Sequence, residues 1–239
     1  MENIRIRYCF DLTNNRSENF ELEIDPHTLL LTNRPTHDLP GWTKLEFHQC
    51  THCPFSSEFY PDCPVAVSLI DVIGKFENVI SHNEIDLKVI TNERTVSQQT
   101  TAQKGISSLV GLLFATSGCP HTGYLKPMAR YHLPLASEGE TFYRATGMYL
   151  LAQYYLCEDG QEAKLELEGL KKIYKNLHEV NKKIAERIRS TTQTDSSVNA
   201  VVILDMISNV MPLMLDDRLD KIRHLFDSYF AAPLIKDSI

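Results

Sequence analysis

The 239-residue sequence predicts an α+β protein, with a β-rich N-terminal third of antiparallel hairpins packed on a mostly helical C-terminal half that forms a helix bundle. Three observations predict it. Apolar and polar residues alternate at positions 4–10, 20–24 and 85–89, the period of a half-buried strand. Beyond residue 137 the apolar spacing changes to three and four, the period of a helix that buries one face. An apolar fraction of 43% beside 23% charged residues is ordinary for a globular chain.

Taken in order, Ile4, Ile6, Tyr8 and Phe10 predict a first strand, TNNRSE a turn, and Phe20, Leu22 and Ile24 the partner strand. A short third strand is predicted over 28–31 and a fourth over 42–48. Pro64 opens an amphipathic helix whose apolar face is Val65, Leu69, Val72, Ile73, Phe76 and Ile80. Ile85, Leu87 and Val89 predict a strand that turns at TNER into another over 95–99. Residues 101–116 read as a helix whose small residues permit close packing, and SGCPHTGYLKPM ends it and starts a short new one.

Ser137 with Glu140 makes a capping box. The helix that follows, through about Cys157, is apolar nearly all round and is expected to be central. Leu167, Leu170, Tyr174, Leu177, Asn181, Ile184 and Ile188 recur at three and four, a heptad seam with one polar position. Packing inside a bundle explains it, and a homodimer through the 167–188 helix is the alternative. TQTDSSVN reads as a polar loop, 198–214 as a helix disturbed at Pro212, and 219–230 as a last short helix. The chain divides into a β-rich part (1–49), a cysteine-containing mixed part (50–135) and a helical bundle (136–239), expected to form one unit.

The formal net charge of −7 argues against broad nucleic-acid binding, which needs a basic face. The N-terminal residues lack the apolar core of a signal peptide. The apolar run 106–115 is about half the length that crosses a bilayer. A cytoplasmic protein without a membrane role is therefore expected, and there thiols stay reduced.

Half of the six cysteines lie in FHQCTHCPFSSEFYPDCPV, residues 47–65. Cys50-Thr-His-Cys53 has a spacing that lets two sulfurs reach one ion from a tight turn. Cys63 follows after nine residues. A tetrahedral site needs a fourth ligand, for which His48, His52, Cys119 and His121 are candidates. Cys63-Pro64 and Cys119-Pro120 each stand where a helix is expected to begin, with proline at the first helical position. There the positive end of the helix dipole favours a thiolate. The expected site is thus Cys50, Cys53, Cys63 and Cys119, a four-cysteine metal site tying the β part to the helices. Zinc is the expected metal. An iron–sulfur cluster is the alternative, since Cys53, Cys63 and Cys119 all precede proline. Cys9 and Cys157 read as packing residues.

The segment after Cys119 is rich in functional groups. An enzyme reading makes His121 or His132 a general base and Arg130 an anion clamp, and a redox reading makes Cys119 a nucleophile, activated by the helix start and near His121. The plainer reading has Arg130 and Arg144 pairing with Glu138 and Glu140 or capping carbonyls. No hydrolase, zinc-protease or phosphate-loop motif occurs.

The stretches CPVAVSLIDVIGKF, ATSGCPHTGYLKPMARYHLP, ETFYRATGMYLLAQYY and LEGLKKIYKNLHEVNKKIAERI, with the CxxC before them, resemble a family of bacterial proteins known as a domain of unknown function. The resemblance runs from Cys50 onward and is weaker before it. It implies cysteines at Cys50, Cys53, Cys63 and Cys119 and a basic residue, often arginine, at Lys126. The position of His121 is more variable in that pattern. It implies no activity. The expectation is a metal-binding protein with a structural, binding or regulatory role and an unknown protein partner. A thiol-based redox sensor and an enzyme around Cys119, His121, Arg130 and His132 are the alternatives.

Overall fold

The structure, a computed structural model, describes residues 2–12, 16–191 and 195–231. Strands β1 (Ile4–Leu12), β2 (Arg16–Ile24), β3 (Glu84–Thr91) and β4 (Thr95–Thr101) form one antiparallel sheet in the order β2-β1-β3-β4. The expected alternation sets the register: Ile4, Ile6 and Tyr8 lie opposite Ile24, Leu22 and Phe20. One face carries these apolar residues with Phe10, Ile85, Leu87 and Val89, all but Ile4 buried. The other carries cross-strand ion pairs, Arg5–Glu23 at 3.4 Å and Arg7–Glu21 at 2.8 Å. Because β1 pairs with β3, the sheet spans the expected boundary at residues 49 and 50. The TNNRSE turn is described only from Arg16, which already belongs to β2; its residues 13–15 lie outside the described residues.

Helix α1 (Pro64–Ser68), α2 (Ile70–Lys75) and α3 (Ala102–Thr116) cover the apolar face. Phe76 packs between Phe10 and Phe20, with ring centroids 5.0 and 5.5 Å away. Gly105 lets α3 approach the sheet: a Cβ there would stand 2.8 Å from Ile85 Cδ1 and 3.1 Å from Phe10 Cε1. Gly105→Ala is therefore expected to destabilise the chain by about 1–3 kcal/mol despite better helix propensity. Urea unfolding checks this, and a gain in stability would refute the close approach.

Past α3 come α4 (Lys126–Arg130), α5 (Glu138–Glu158), α6 (Glu168–Arg189), α7 (Asp195–Ile222) and α8 (Asp227–Ala231). The capping box forms, with Glu140 N–H donating to Ser137 Oγ at 3.2 Å and Ser137 N–H to Glu140 Oε2 at 2.7 Å. The heptad seam is used within the chain: Leu170, Tyr174, Leu177, Asn181, Ile184 and Ile188 are all buried. A second core, from Phe142, Tyr149, Leu170, Tyr174, Leu177, Met211 and Leu215, joins α5, α6 and α7.

Several expected elements differ. Residues 28–31 make only an isolated bridge, Ile24 to Leu31. Asp25 Oδ1 accepts from the His27 and Thr28 N–H groups and reverses the chain there. Residues 42–48 are not a strand: a 3-10 helix, Gly41–Thr43, precedes a single bridge from Lys44 to Asp62. The helix after Pro64 breaks at Leu69 and ends at Phe76, leaving Ile80 exposed. Helix α5 is peripheral, with Leu150, Leu151, Tyr154 and Tyr155 exposed, because α6 and α7 cover only one of its faces.

The loop TQTDSSVN is helical from Asp195, and its residues 192–194 lie outside the described residues. Helix α7 runs through Pro212 to Ile222 without a break. The helical run Ser196–Ala231 is long and apolar enough to cross a membrane, by length and composition, with a mean hydropathy of 1.8 in its best window. The sequence reading missed this because Asn199, Asp205, Ser208 and Asn209 interrupt the run. In the fold, α7 packs against α3, α5 and α6, as the core helix of a bundle does.

Candidate metal centre

The loop between the Gly41–Thr43 turn and α1 is closed at its neck. Leu45 N–H donates to Pro61 O at 2.9 Å and Cys63 N–H to Thr43 O at 2.7 Å. Thr43 Oγ1 donates to Asp62 Oδ1 at 2.8 Å. Within the loop, Cys53 N–H donates to Cys50 O at 3.1 Å, so the CxxC segment is a tight turn.

Helix α6 grips this loop at three points. Thr51 Oγ1 donates to Glu179 Oε1 at 3.1 Å. His48, held in the left-handed region at φ 50°, sits 3.4 Å from Glu186 Oε2. Arg187, only 2% exposed, donates to the carbonyls of Trp42 at 2.8 Å, Lys44 at 2.7 Å and Leu45 at 2.8 Å. These bonds give the predicted fourth strand its physical reason for not forming: its carbonyls serve an arginine fork instead of a β ladder. Arg187 makes no ion pair with a carboxylate among the described residues.

Cys119 arrives from the end of α3. Gly118, at φ 96°, takes a backbone conformation that a side chain would strain. Cys119 N–H donates to Ser117 Oγ at 3.2 Å, and Gly123 N–H to Cys119 O at 2.9 Å. The expected helix at Pro120 is thus a single hydrogen-bonded turn leading into a 3-10 helix, Gly123–Leu125. At Cys63 the expected helix does begin at Pro64.

The two segments meet through histidines. The His52 and His121 rings lie 3.9 Å apart, and His121 Nε2–H donates to His52 O at 2.9 Å. Both ring nitrogens of His52 are buried, and among the described residues neither closes a full hydrogen bond, although the Asn176 backbone stands close enough to act on the ring. Burial, then the charge of His121, lowers the His52 pKa, which keeps its ring neutral.

Cys50, Cys63 and Cys119 pack against the main core. Burial first, and then the charges of Cys63, Cys119 and Cys53, push the Cys50 thiol up to about 12. Burial also raises Cys63, opposed by Arg187 and by the Ala66 and Val65 N–H groups. Burial raises Cys119, opposed by the N–H groups of Thr122 and His121. Cys50 is therefore within electrostatic reach of the other three sulfurs, and Cys63 of Cys53 and Cys119. They do not form a closed ligand sphere: among the described residues, no group of three or more His, Cys, Asp or Glu is placed to hold a metal ion. Of the excluded cysteines, Cys9 lies in β1 and Cys157 is exposed on α5.

The residues of the enzyme reading separate. Cys119 and His121 lie beside the other cysteines, whereas Arg130 and His132 line a cavity of about 330 Å³ that neither Cys119 nor His121 lines. Arg130 stands 3.9 Å from Glu93. Arg144 caps the carbonyls of Met128 at 3.1 Å and Tyr131 at 2.7 Å. Lys126 Nζ caps Thr28 O at 2.6 Å.

His132 Nε2 shares a hydrogen bond with the Tyr8 hydroxyl, which also meets Ser108 Oγ at 3.0 Å. Burial, then the charge of Arg144, lowers His132 to about 4. A histidine unfolds to a pKa of about 6.5. Between those values the unfolded chain binds the extra proton, so stability is complete above pH 6.5 and lost as pH falls toward 4. The loss is expected to reach about 3 kcal/mol. Urea unfolding across that range checks it: His132→Gln should flatten the slope, and an unchanged slope would exonerate His132.

Arg187 is the residue sequence reasoning missed. It follows the seam residue Ile184 by three positions, so its charge falls on the apolar stripe of α6. That was the available signal, obscured by the other basic residues of the same helix. No curated protein and no solved structure matches the chain. Over residues 4–227, from β1 to the start of α8 and across all four cysteines, the chain belongs to the family described as a domain of unknown function, DUF6901.

Proposed function

We propose that Cys50, Cys53, Cys63 and Cys119 bind one metal ion, zinc before iron, in a cytoplasmic protein whose role is structural or regulatory. The ion would tie the closed loop before α1 to the turn after α3, and both to α6. One observation carries the reading: half-buried thiols from three separate segments feel one another's charge beside a buried arginine that has no carboxylate partner among the described residues.

Four thiols are the donor set of a structural zinc site. A divalent cation would turn their mutual repulsion into attraction and release their protons. A zinc ion with four thiolates has a net charge of −2, and Arg187 would offset part of it. His52, with both ring nitrogens unbonded, is the alternative fourth donor.

Metal analysis with an absorption spectrum, on the full chain purified without oxygen, tests the proposal. One colourless zinc per chain is expected. Iron with sulfide and a brown colour would replace the structural reading with a redox one. A chain that folds cooperatively and takes up neither metal would overturn it.

A further inference from the structure

A second cavity, of about 470 Å³, lies between α3, α4, α5, α6 and α7, within the size range of small-molecule sites. None of the four cysteines lines it. Its walls are largely apolar, with Leu112, Leu125, Met128, Leu135, Leu177 and Ile207 among them.

The charged groups on this lining leave a positive surplus. Arg144 opens on it and uses only Nη2 in its bonds to Met128 O and Tyr131 O. It makes no ion pair among the described residues. Glu140, its nearest acid in the field, is occupied by the Ser137 N–H. Lys104 stands exposed on the same lining, also without an ion pair among the described residues. The carboxylate of the lining, Glu138, is held by Arg218 at 2.5 Å. A surplus of positive charge here, in a chain of net charge −7, marks the cavity as selective for an anion.

A second, independent observation points the same way. Tyr174 is 4% exposed and lines the cavity, and its hydroxyl makes no hydrogen bond among the described residues. A hydroxyl on a buried side chain that has no protein partner is left free to bond a ligand. Elsewhere on the lining Asn181 Nδ2 donates to Ser208 Oγ at 2.9 Å, and His132 is closed by Tyr8. Arg144 and Tyr174 are near enough to influence each other's ionisation.

We propose that this cavity binds a medium-chain monocarboxylate, its head group taken by Arg144 and the Tyr174 hydroxyl and its apolar chain lying along the leucine and methionine walls. A dicarboxylate or sugar phosphate would place a second polar group against those walls. A neutral alkane chain would leave the arginine and the hydroxyl unpaired. The site is independent of the cysteine centre.

The test is isothermal titration calorimetry of the full chain with decanoate and with decan-1-ol. Decanoate is expected to bind saturably at one per chain, at least about tenfold tighter than the alcohol, as a charge-assisted contact implies. Tyr174→Phe removes only the hydroxyl and should weaken decanoate about fivefold while leaving decan-1-ol unchanged. Arg144→Gln should erase the difference between the two probes. Because Arg144 also holds two carbonyls, Tyr174→Phe decides the matter where Arg144→Gln fails to fold.

Gly111→Met fills the cavity and should abolish both bindings. A Cβ at Gly111 meets only Leu204 Cδ2, at 3.5 Å, so α3 can accept the change. No saturable decanoate binding to the cooperatively folding wild-type chain would overturn the proposal. So would equal affinity for the two probes, or decanoate binding that survives Gly111→Met.

Discussion

Replacing Arg187 by methionine is expected to lower the stability of the chain by about 3–5 kcal/mol, from the loss of three hydrogen bonds to backbone carbonyls at about 1–3 kcal/mol each with partial relaxation. The residue holds Trp42, Lys44 and Leu45, the segment that leads into the CxxC turn. Methionine keeps most of the volume and removes the donors. For a chain of this length the melting temperature should fall by about 10 °C, read by circular dichroism. Arg187→Lys should recover only part of it, since an ammonium cannot reproduce the planar fork.

A second readout separates electrostatics from packing. Arg187 is the cation that opposes the upward shift of Cys63. In Arg187→Met the Cys63 thiol should ionise less readily, and its alkylation by iodoacetamide at mildly alkaline pH should slow. A variant that melts within about 2 °C of wild type would show that the fork contributes little.

Cys119→Ser is expected to remove the bound metal and with it a stabilisation on the order of 10 kcal/mol, the scale on which structural zinc couples to folding. Elemental analysis and thermal melts of Cys50→Ser, Cys53→Ser, Cys63→Ser and Cys119→Ser should move together. Cys157→Ser, at an exposed position, should match wild type. If Cys119→Ser keeps its metal and its melting temperature, the site is confined to residues 50–63 and His52 becomes the fourth ligand.

The metal-free chain carries a pH signature. The Cys50 thiol is held up to about 12, by burial first and then by its neighbours' charge, while an unfolded cysteine ionises near about 8.5. The unfolded state therefore loses its proton first. Stability is full below about pH 8.5 and declines as pH rises toward 12. In the metal-loaded chain the thiolates are already formed, and the decline should vanish. A flat alkaline profile for the stripped protein would argue against a buried thiol cluster.

Much of the fold was legible because it rests on local periodicity. Alternation placed β1, β2 and β3 and named β2 as the partner of β1, since a half-buried strand turns every apolar side chain to one face. Spacings of three and four placed α6 and its seam, and Ser137 with Glu140 placed the start of α5. Cys50, Cys53 and Cys63 were legible as a group for the same reason: they are near in sequence, and a tight turn was enough to relate them.

Errors arose where a segment's partners are distant. Residues 42–48 have strand-like composition, but their carbonyls are claimed by an arginine more than a hundred residues on, so they form a turn. Helix α5 is apolar all round, yet how much of it is buried depends on which faces α6 and α7 reach. Pro212 predicts a disturbed helix, and the packing of α7 against three neighbours carries it through.

By itself the sequence determined the fold class, the alternating strands, the seam of α6 and a cysteine window with metal-ligand spacing. These follow from side-chain period and from chemistry within a few residues. Only the tertiary structure decided that Arg187 is buried among the carbonyls of the cysteine loop. It likewise decided that His52 stacks on His121, that Arg130 and His132 belong to a different cavity from Cys119, and that Arg144 and Tyr174 share a second one. Each depends on contacts across tens to more than a hundred residues. Such contacts are set by which buried surfaces and hydrogen bonds can be satisfied together, and no local pattern encodes that sum.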